Sequence, residues 1–168
     1  MRYFAGIAGS IICAICIAGN SFGDDIKGRI EEIDAKSAIV TVGGIKIATQ
    51  NGRVENEIGQ LIFVKDLAVG DFIAADGYFG NPGEFDSYKL SRDYPGHDEL
   101  TARIKSIDQE NNKISIRGVL VSYGKDLKIE DEDGIPTNLE RLPNGSYVEC
   151  RGKWTGPLQF FVNKIRRE

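Results

Sequence analysis

Residues 28–47 read "GRIEEIDAKSAIVTVGGIKI", and residues 102–121 read "ARIKSIDQENNKISIRGVLV". The two stretches align without a gap. After a one-residue slip a second pair follows, "LAVGDFIAADGYFGNPGEF" at 67–85 against "LPNGSYVECRGKWTGPLQF" at 142–160, and runs on as "YKLSR" against "NKIRR". A chain that writes one apolar pattern twice is organised as two related units. The link between them is "DYPGHDE", where Pro95 and Gly96 break the pattern.

Within each copy the rhythm is that of β-structure. Ile26, Gly28 and Ile30 alternate and the beat then shifts to Ile33; Leu100, Ala102 and Ile104 shift in the same way to Ile107. One extra residue in a period-two pattern predicts a β-bulge, which bends the strand and raises its twist. Val40 and Val42, then Ile45 and Ile47, flank Gly43–Gly44, and Ile114, Ile116, Val119 and Val121 flank Gly118, which matches Gly44. This predicts a hairpin whose turn needs positive φ. A small, strongly bent sheet with no helical period closes most readily into a barrel. Further on, Glu149, Arg151 and Lys153 must face water, so Val148, Cys150, Gly152 and Trp154 face inward, and Ile73, Ala75, Gly77 and Phe79 do so in the first copy. Gly77 and Gly152 mark close approach by a neighbouring strand or ring. Each copy of about 70 residues would enclose its own apolar interior, marginal in size, and would gain from docking on the other. The insertions at 48–66 and 122–141 lack clean periodicity.

The start of the chain is set apart. Arg2 is followed by an uncharged apolar run from Tyr3 to Gly19 and then by "NSFG". A cationic head, an apolar stretch and small residues at the −3 and −1 positions, Ser21 and Gly23, describe a secretory signal peptide cut after Gly23. The run is short for a membrane anchor, the rival reading. The expected organisation is a signal peptide at 1–23, a first repeat at 24–93, a linker at 94–98 and a second repeat at 99–168. The product is expected to be exported, periplasmic or extracellular, with no stable membrane span after cleavage. Cys13 and Cys16 fall in the discarded segment, leaving Cys150 as a lone thiol on an inward position. One cysteine and one histidine, His97, cannot assemble a Cys–His pair or a His-rich zinc site.

Charge narrows the partners. There are 21 basic and 25 acidic residues, and removing Arg2 makes the balance more negative. Nucleic-acid backbones are bound through Lys and Arg, so the acidic balance argues against nucleic acid as the partner. The densest acidic run is "KIEDEDGIP", in which Glu130, Asp131 and Asp133 are weak calcium candidates. The run lacks the alternate spacing and distal Glu of a calcium loop, and the first copy has only "RVENEIG" there, so a solvated loop is the expectation. No G-x-S-x-G, phosphate-cradling glycine loop or Ser/His/Asp set is written, and no cofactor is expected.

The segments "GRIEEID", "VTVGGIKI", "VKDLAVGDFIAADGYF" and "YKLSR" closely resemble a bacterial exported module, domain of unknown function 5666. The resemblance covers nearly all of 25–168 as tandem copies. The first fits through Gly28, Gly44, Leu67, Gly70, Asp71, Gly77 and Tyr78; the second departs at Asn144, Ser146 and Lys153. It implies an OB-type five-stranded barrel, hence an all-β chain of two tandem small OB-like β-barrels after the signal peptide. It carries no functional residue over. Barrels of this type bind ligands on one face, often against aromatic rings. Phe72, Tyr78 and Tyr147, in the outward register, are therefore the candidates for a ligand or partner surface, beside their packing role. The expected function is a non-catalytic exported binding or interaction module for an unidentified protein, glycan or small ligand. A structural spacer or assembly subunit is the alternative, and a calcium-binding protein or an enzyme the third.

Overall fold

The computed structural model describes residues 23–168; the expected leader, with Cys13 and Cys16, lies outside the described residues apart from Gly23. The described chain is all β. The first copy supplies β1 (Asp24–Arg29), β2 (Glu32–Asp34), β3 (Ile39–Val42), β4 (Ile45–Ala48), β5 (Arg53–Glu55), β6 (Phe72–Phe79) and β7 (Glu84–Arg92). The second supplies β8 (Asp98–Asp108), β9 (Lys113–Ile116), β10 (Val119–Glu130), β11 (Tyr147–Gly156) and β12 (Gln159–Arg167). A short 3-10 turn precedes β6 at Val64–Asp66, and another precedes β11 at Leu139–Arg141.

Each copy makes the same circuit of strand pairs. In the second, β8 pairs β9, β9 pairs β10, β10 runs parallel to β12, β12 pairs β11, and β11 returns to β8. The first copy repeats this through β2–β3–β4, a parallel step from β4 and β5 to β7, then β6 and β1. Its opening strand changes partner where the apolar beat shifts: the Ile30 amide donates to Asp71 O, and the Glu31 amide to Thr41 O. In the second copy the corresponding bulge falls between Ile104 and Ser106 of the continuous β8. The bend is what lets one strand serve both sides of its circuit.

The hairpin turns take positive φ, at 56° and 73° for Gly43–Gly44 and 48° and 88° for Arg117–Gly118. Gly77 and Gly152 sit at register shifts in the β6–β7 and β11–β12 ladders. A Cβ on either would overlap the main-chain oxygen of Asp86 or Phe161. Ile73, Ala75, Val148 and Cys150 are buried on the inward face. The thiol of Cys150 is unpaired by any disulfide, and burial pushes its pKa well up.

One expectation is corrected. The copies do not enclose private interiors: the buried apolar side chains of both form one continuous cluster. The cause is an antiparallel ladder between β1 and β8, in which Ile26 lies opposite Leu100, Asp25 opposite Thr101 and Lys27 opposite Glu99. Ile26 is thus paired with its own counterpart, so the copies meet about a local two-fold. Directly opposed side chains point to one face of a sheet. Both circuits therefore curl over the same face, the one that buries Ile26 and Leu100, and their interiors run together. Full burial of Ile26 and Leu100 contributes roughly 1.5–3 kcal/mol each.

Across that seam, the hairpin tip of each copy reaches the β-turn of the other. The Leu158 amide donates to Gly43 O at 2.7 Å. Trp154 lays its indole over Gly28 and Gly43, donates Nε1–H to Lys27 O at 3.1 Å, and meets Phe160 edge-on at 4.9 Å. In the opposite half, Pro82 closes on Gly118 so tightly that a Cβ there would lie 2.6 Å from the ring.

Candidate functional site

The three aromatic candidates do not form a surface. Tyr78 is 50 % exposed and faces the exposed Tyr88 with ring centroids 5.7 Å apart. Phe72 and Tyr147, expected in solvent, are only 5 % and 7 % exposed. The reason is cross-strand pairing: Arg29 sits opposite Phe72, and Arg103 opposite Tyr147, where its guanidinium lies 5.6 Å from the ring centre. A guanidinium held over an aromatic face is attracted to it and screens it from water, as Arg103 does for Tyr147. The Tyr147 hydroxyl also donates to Gly23 O. Outward register is therefore not the same as exposure here, and only Tyr78 remains available.

The acidic run is committed to local structure. Glu130, at the end of β10, pairs with Lys164 at 2.8 Å. Asp131 Oδ1 accepts from the amides of Asp133 and Ile135, at 3.1 and 2.9 Å. In the first copy the neutral Asn56 does the same work, its side-chain oxygen accepting from the amides of Ile58 and Gln60. A role that asparagine fills equally well is a turn cap. Asp133 supplies only its backbone amide, and among the described residues no three metal-ligating side chains converge.

Two pairs of features recur about the two-fold. Asp24 Oδ2 accepts the amide of Phe79 at 3.1 Å, and Asp98 Oδ2 accepts the amide of its counterpart, Trp154, at 2.9 Å. Burial raises the pKa of both carboxyls, against the pull of those amides and nearby cations. Arg29 and Arg103 each donate to a turn carbonyl, Gly70 O and Gly145 O. On the solvent side of the central ladder, burial and then the carboxylates of Asp76 and Glu99 push the Asp25 carboxyl up to about 7. Lys27 opposes this and itself pairs with Glu99 at 3.1 Å.

The two-fold is broken at the seam, and that is where the candidate site lies. On one side Trp154 fills the space beside the Gly43–Gly44 tip, and the carboxylate of Glu31 accepts the Gly44 amide at 3.0 Å. On the other side the counterpart of Trp154 is the smaller Phe79, turned edge-on to Phe85. There an open cleft of about 370 Å³ remains, walled by Pro82 from the first copy and by Arg103, Lys105 and the Arg117–Gly118 tip from the second. Arg117 Nε lies 3.8 Å from Asp24 Oδ2. Counting side chains at full charge, three cations face one carboxylate held largely out of water, so the cleft attracts anions. Arg117 holds a left-handed backbone at a position where the other copy has glycine, a strain of about 1 kcal/mol or more.

Reading single motifs missed these residues. The signal was nevertheless present in the aligned copies: Glu31 becomes Lys105 and Gly43 becomes Arg117 inside an otherwise matching block. A second cavity of about 500 Å³ lies under the first insertion, between Val54, Leu61 and Phe63, and is lined by one copy only.

The architecture defines the class, an all-β chain of two equivalent strand circuits fused through their opening strands. Residues 27–86 match the model of the domain of unknown function 5666, which spans most of the first circuit. No curated protein and no solved structure matches the chain.

Proposed function

We propose that this protein is a non-catalytic binding module of the exported space, built from two OB-type barrels fused into one body, with the seam cleft as its ligand seat. The circuit in which strands one, two and three run on to five, four and back to one is the order of a five-stranded Greek-key barrel of that type. A solenoid would stack its repeats through parallel ladders, whereas these copies meet through the antiparallel β1–β8 pair. The observation that carries the reading is the unequal fate of two equivalent positions. Duplication made two seam spaces; Trp154 plugs one, and the other stays open with cations around it. The lining offers guanidinium, ammonium and amide donors, which suit holding a ligand rather than transforming it. Export rests on the leader-like start of the sequence.

The test is a thermal-shift screen of small sugars, organic acids and short peptides on the purified protein and on Gly80→Phe. Gly80 lines the cleft, and a Cβ on it meets nothing closer than Asp86 Oδ2 at 4.0 Å, so a bulky side chain can be placed at the cleft wall without a clash at its Cβ. Ligands that stabilise the protein and lose their effect in Gly80→Phe support the reading. Ligands that act equally on both place the seat elsewhere, and a screen in which none stabilises either leaves the spacer.

A further inference from the structure

The duplication supplies an internal reference for what the open cleft holds. At the filled end, the Gly44 amide of the β3–β4 tip donates to the carboxylate of Glu31, which the bend after Ile30 sets beside β3. At the open end the same tip is Arg117–Gly118, with the same pair of positive φ angles, so the Gly118 amide is presented in the same way. The residue that would cap it is Lys105, a donor without acceptor capacity. Among the described residues the Gly118 amide, at an exposed tip, has no protein acceptor, and Lys105 forms no ion pair.

We propose that a carboxylate from a small organic acid occupies this end of the cleft, taking the place that the Glu31 carboxylate takes in the other half. One carboxylate oxygen accepts the Gly118 amide; the ammonium of Lys105 and the guanidinium of Arg117 neutralise the charge. The exchange of Glu31 for Lys105 removes the built-in acceptor and adds a cation at the same point. The exchange of Gly43 for Arg117 adds a second cation on a backbone that glycine would hold without strain. Charge-assisted bonds to Arg and Lys are the stronger kind, and a carboxylate fits the guanidinium fork. The cleft, about 370 Å³, lies near the lower end of small-molecule sites, which fits a compact acid. Asp24 pairs with Arg117 at 3.8 Å and also accepts the Phe79 amide.

This assignment rests on the seam cleft being the ligand seat, and its test can fail separately. The 15N-labelled protein is titrated at pH 7 and constant ionic strength with succinate, with its neutral diamide succinamide, and with inorganic phosphate. Succinate is expected to shift the Gly118 amide saturably and succinamide to leave it unmoved. Lys105→Glu restores the acceptor of the other half, so it should weaken succinate binding at least tenfold and move the Gly118 resonance unaided toward its succinate-bound position. Arg117→Gly, which recreates the glycine tip, should keep the fold and weaken succinate several-fold. A Gly118 amide unmoved by succinate, or moved equally by phosphate or succinamide, overturns the carboxylate. If Gly80→Phe still blocks some other ligand, the binding module survives that result.

Discussion

Trp154 is the single tryptophan of the chain, and its replacement by phenylalanine, the residue at the equivalent position 79, tests whether the seam is structural. The indole bridges the copies, over Gly28 and Gly43 and bonded to Lys27 O at 3.1 Å. Losing the second ring removes roughly 40 Å³, about 1 kcal/mol at the usual cost of a residual cavity. The lost indole N–H bond adds about 1 kcal/mol. The edge-on contact with Phe160 is kept in part, and the site is only partly buried, so water relieves some of the cavity. The sum is about 2 kcal/mol. With a urea slope of about 2 kcal/mol/M, the midpoint by far-UV circular dichroism should fall by about 1 M, in a single transition. In the wild-type protein, Trp154 fluorescence and circular dichroism should give superimposable curves, because one continuous interior unfolds as a unit. A midpoint shift below about 0.3 M, or two separated transitions, would refute the fused core.

Three other outcomes follow from particular residues. Gly152→Ala drives a Cβ into Phe161 O and should cost more than about 3 kcal/mol or prevent folding. Gly96→Ala, whose nearest atom is Tyr94 O at 3.8 Å, should stay within about 0.5 kcal/mol; equal effects in urea melts would sink the close-approach argument. Asp25 is held up to about 7 from 3.8, so between those values the folded chain keeps a proton that the unfolded chain releases. Its contribution to stability therefore falls as pH rises through that window and levels off above it. After discounting for its partial exposure, Asp25→Asn should raise stability by about 1 kcal/mol at pH 8 and flatten the slope of Tm between pH 5 and 8; parallel Tm profiles would contradict this. Asp131→Asn should be nearly neutral, because Asn56 caps the equivalent turn, while Asp131→Ala should cost about 1 kcal/mol. A calcium-induced rise in Tm that Asp131→Asn abolishes would show that the acidic run is a metal site after all.

The local grammar of the chain was legible. Alternation around Val40–Val42 and Ile114–Ile116, the glycine tips and the shifted beat after Ile30 and Ile104 encode hairpins and bends within a few residues, where sterics and periodicity suffice. The inward set through Ile73, Ala75, Val148 and Cys150 followed from charge alternation alone. What the exposed aromatics would be was misjudged, because Phe72 and Tyr147 are buried, Tyr147 beneath the Arg103 guanidinium, and that placement depends on register between strands distant in sequence. The separateness of the two interiors was misjudged for a related reason. Whether opening strands pair with each other is decided by the free edges left once each circuit is complete, and no local pattern records a free edge.

The repeated text by itself determined that the described chain is β, that one apolar pattern is written twice, and which side of most strands meets apolar neighbours, since these are properties of neighbouring residues. Only the tertiary structure decided that Ile26 lies against Leu100, that one indole closes one of two matching spaces, and that Lys105, Arg117 and the Gly118 amide surround the other. Those outcomes depend on how two bent sheets meet about a two-fold axis. There the difference between Glu31 and Lys105, a single charge in the text, becomes the difference between a satisfied turn and an open seat.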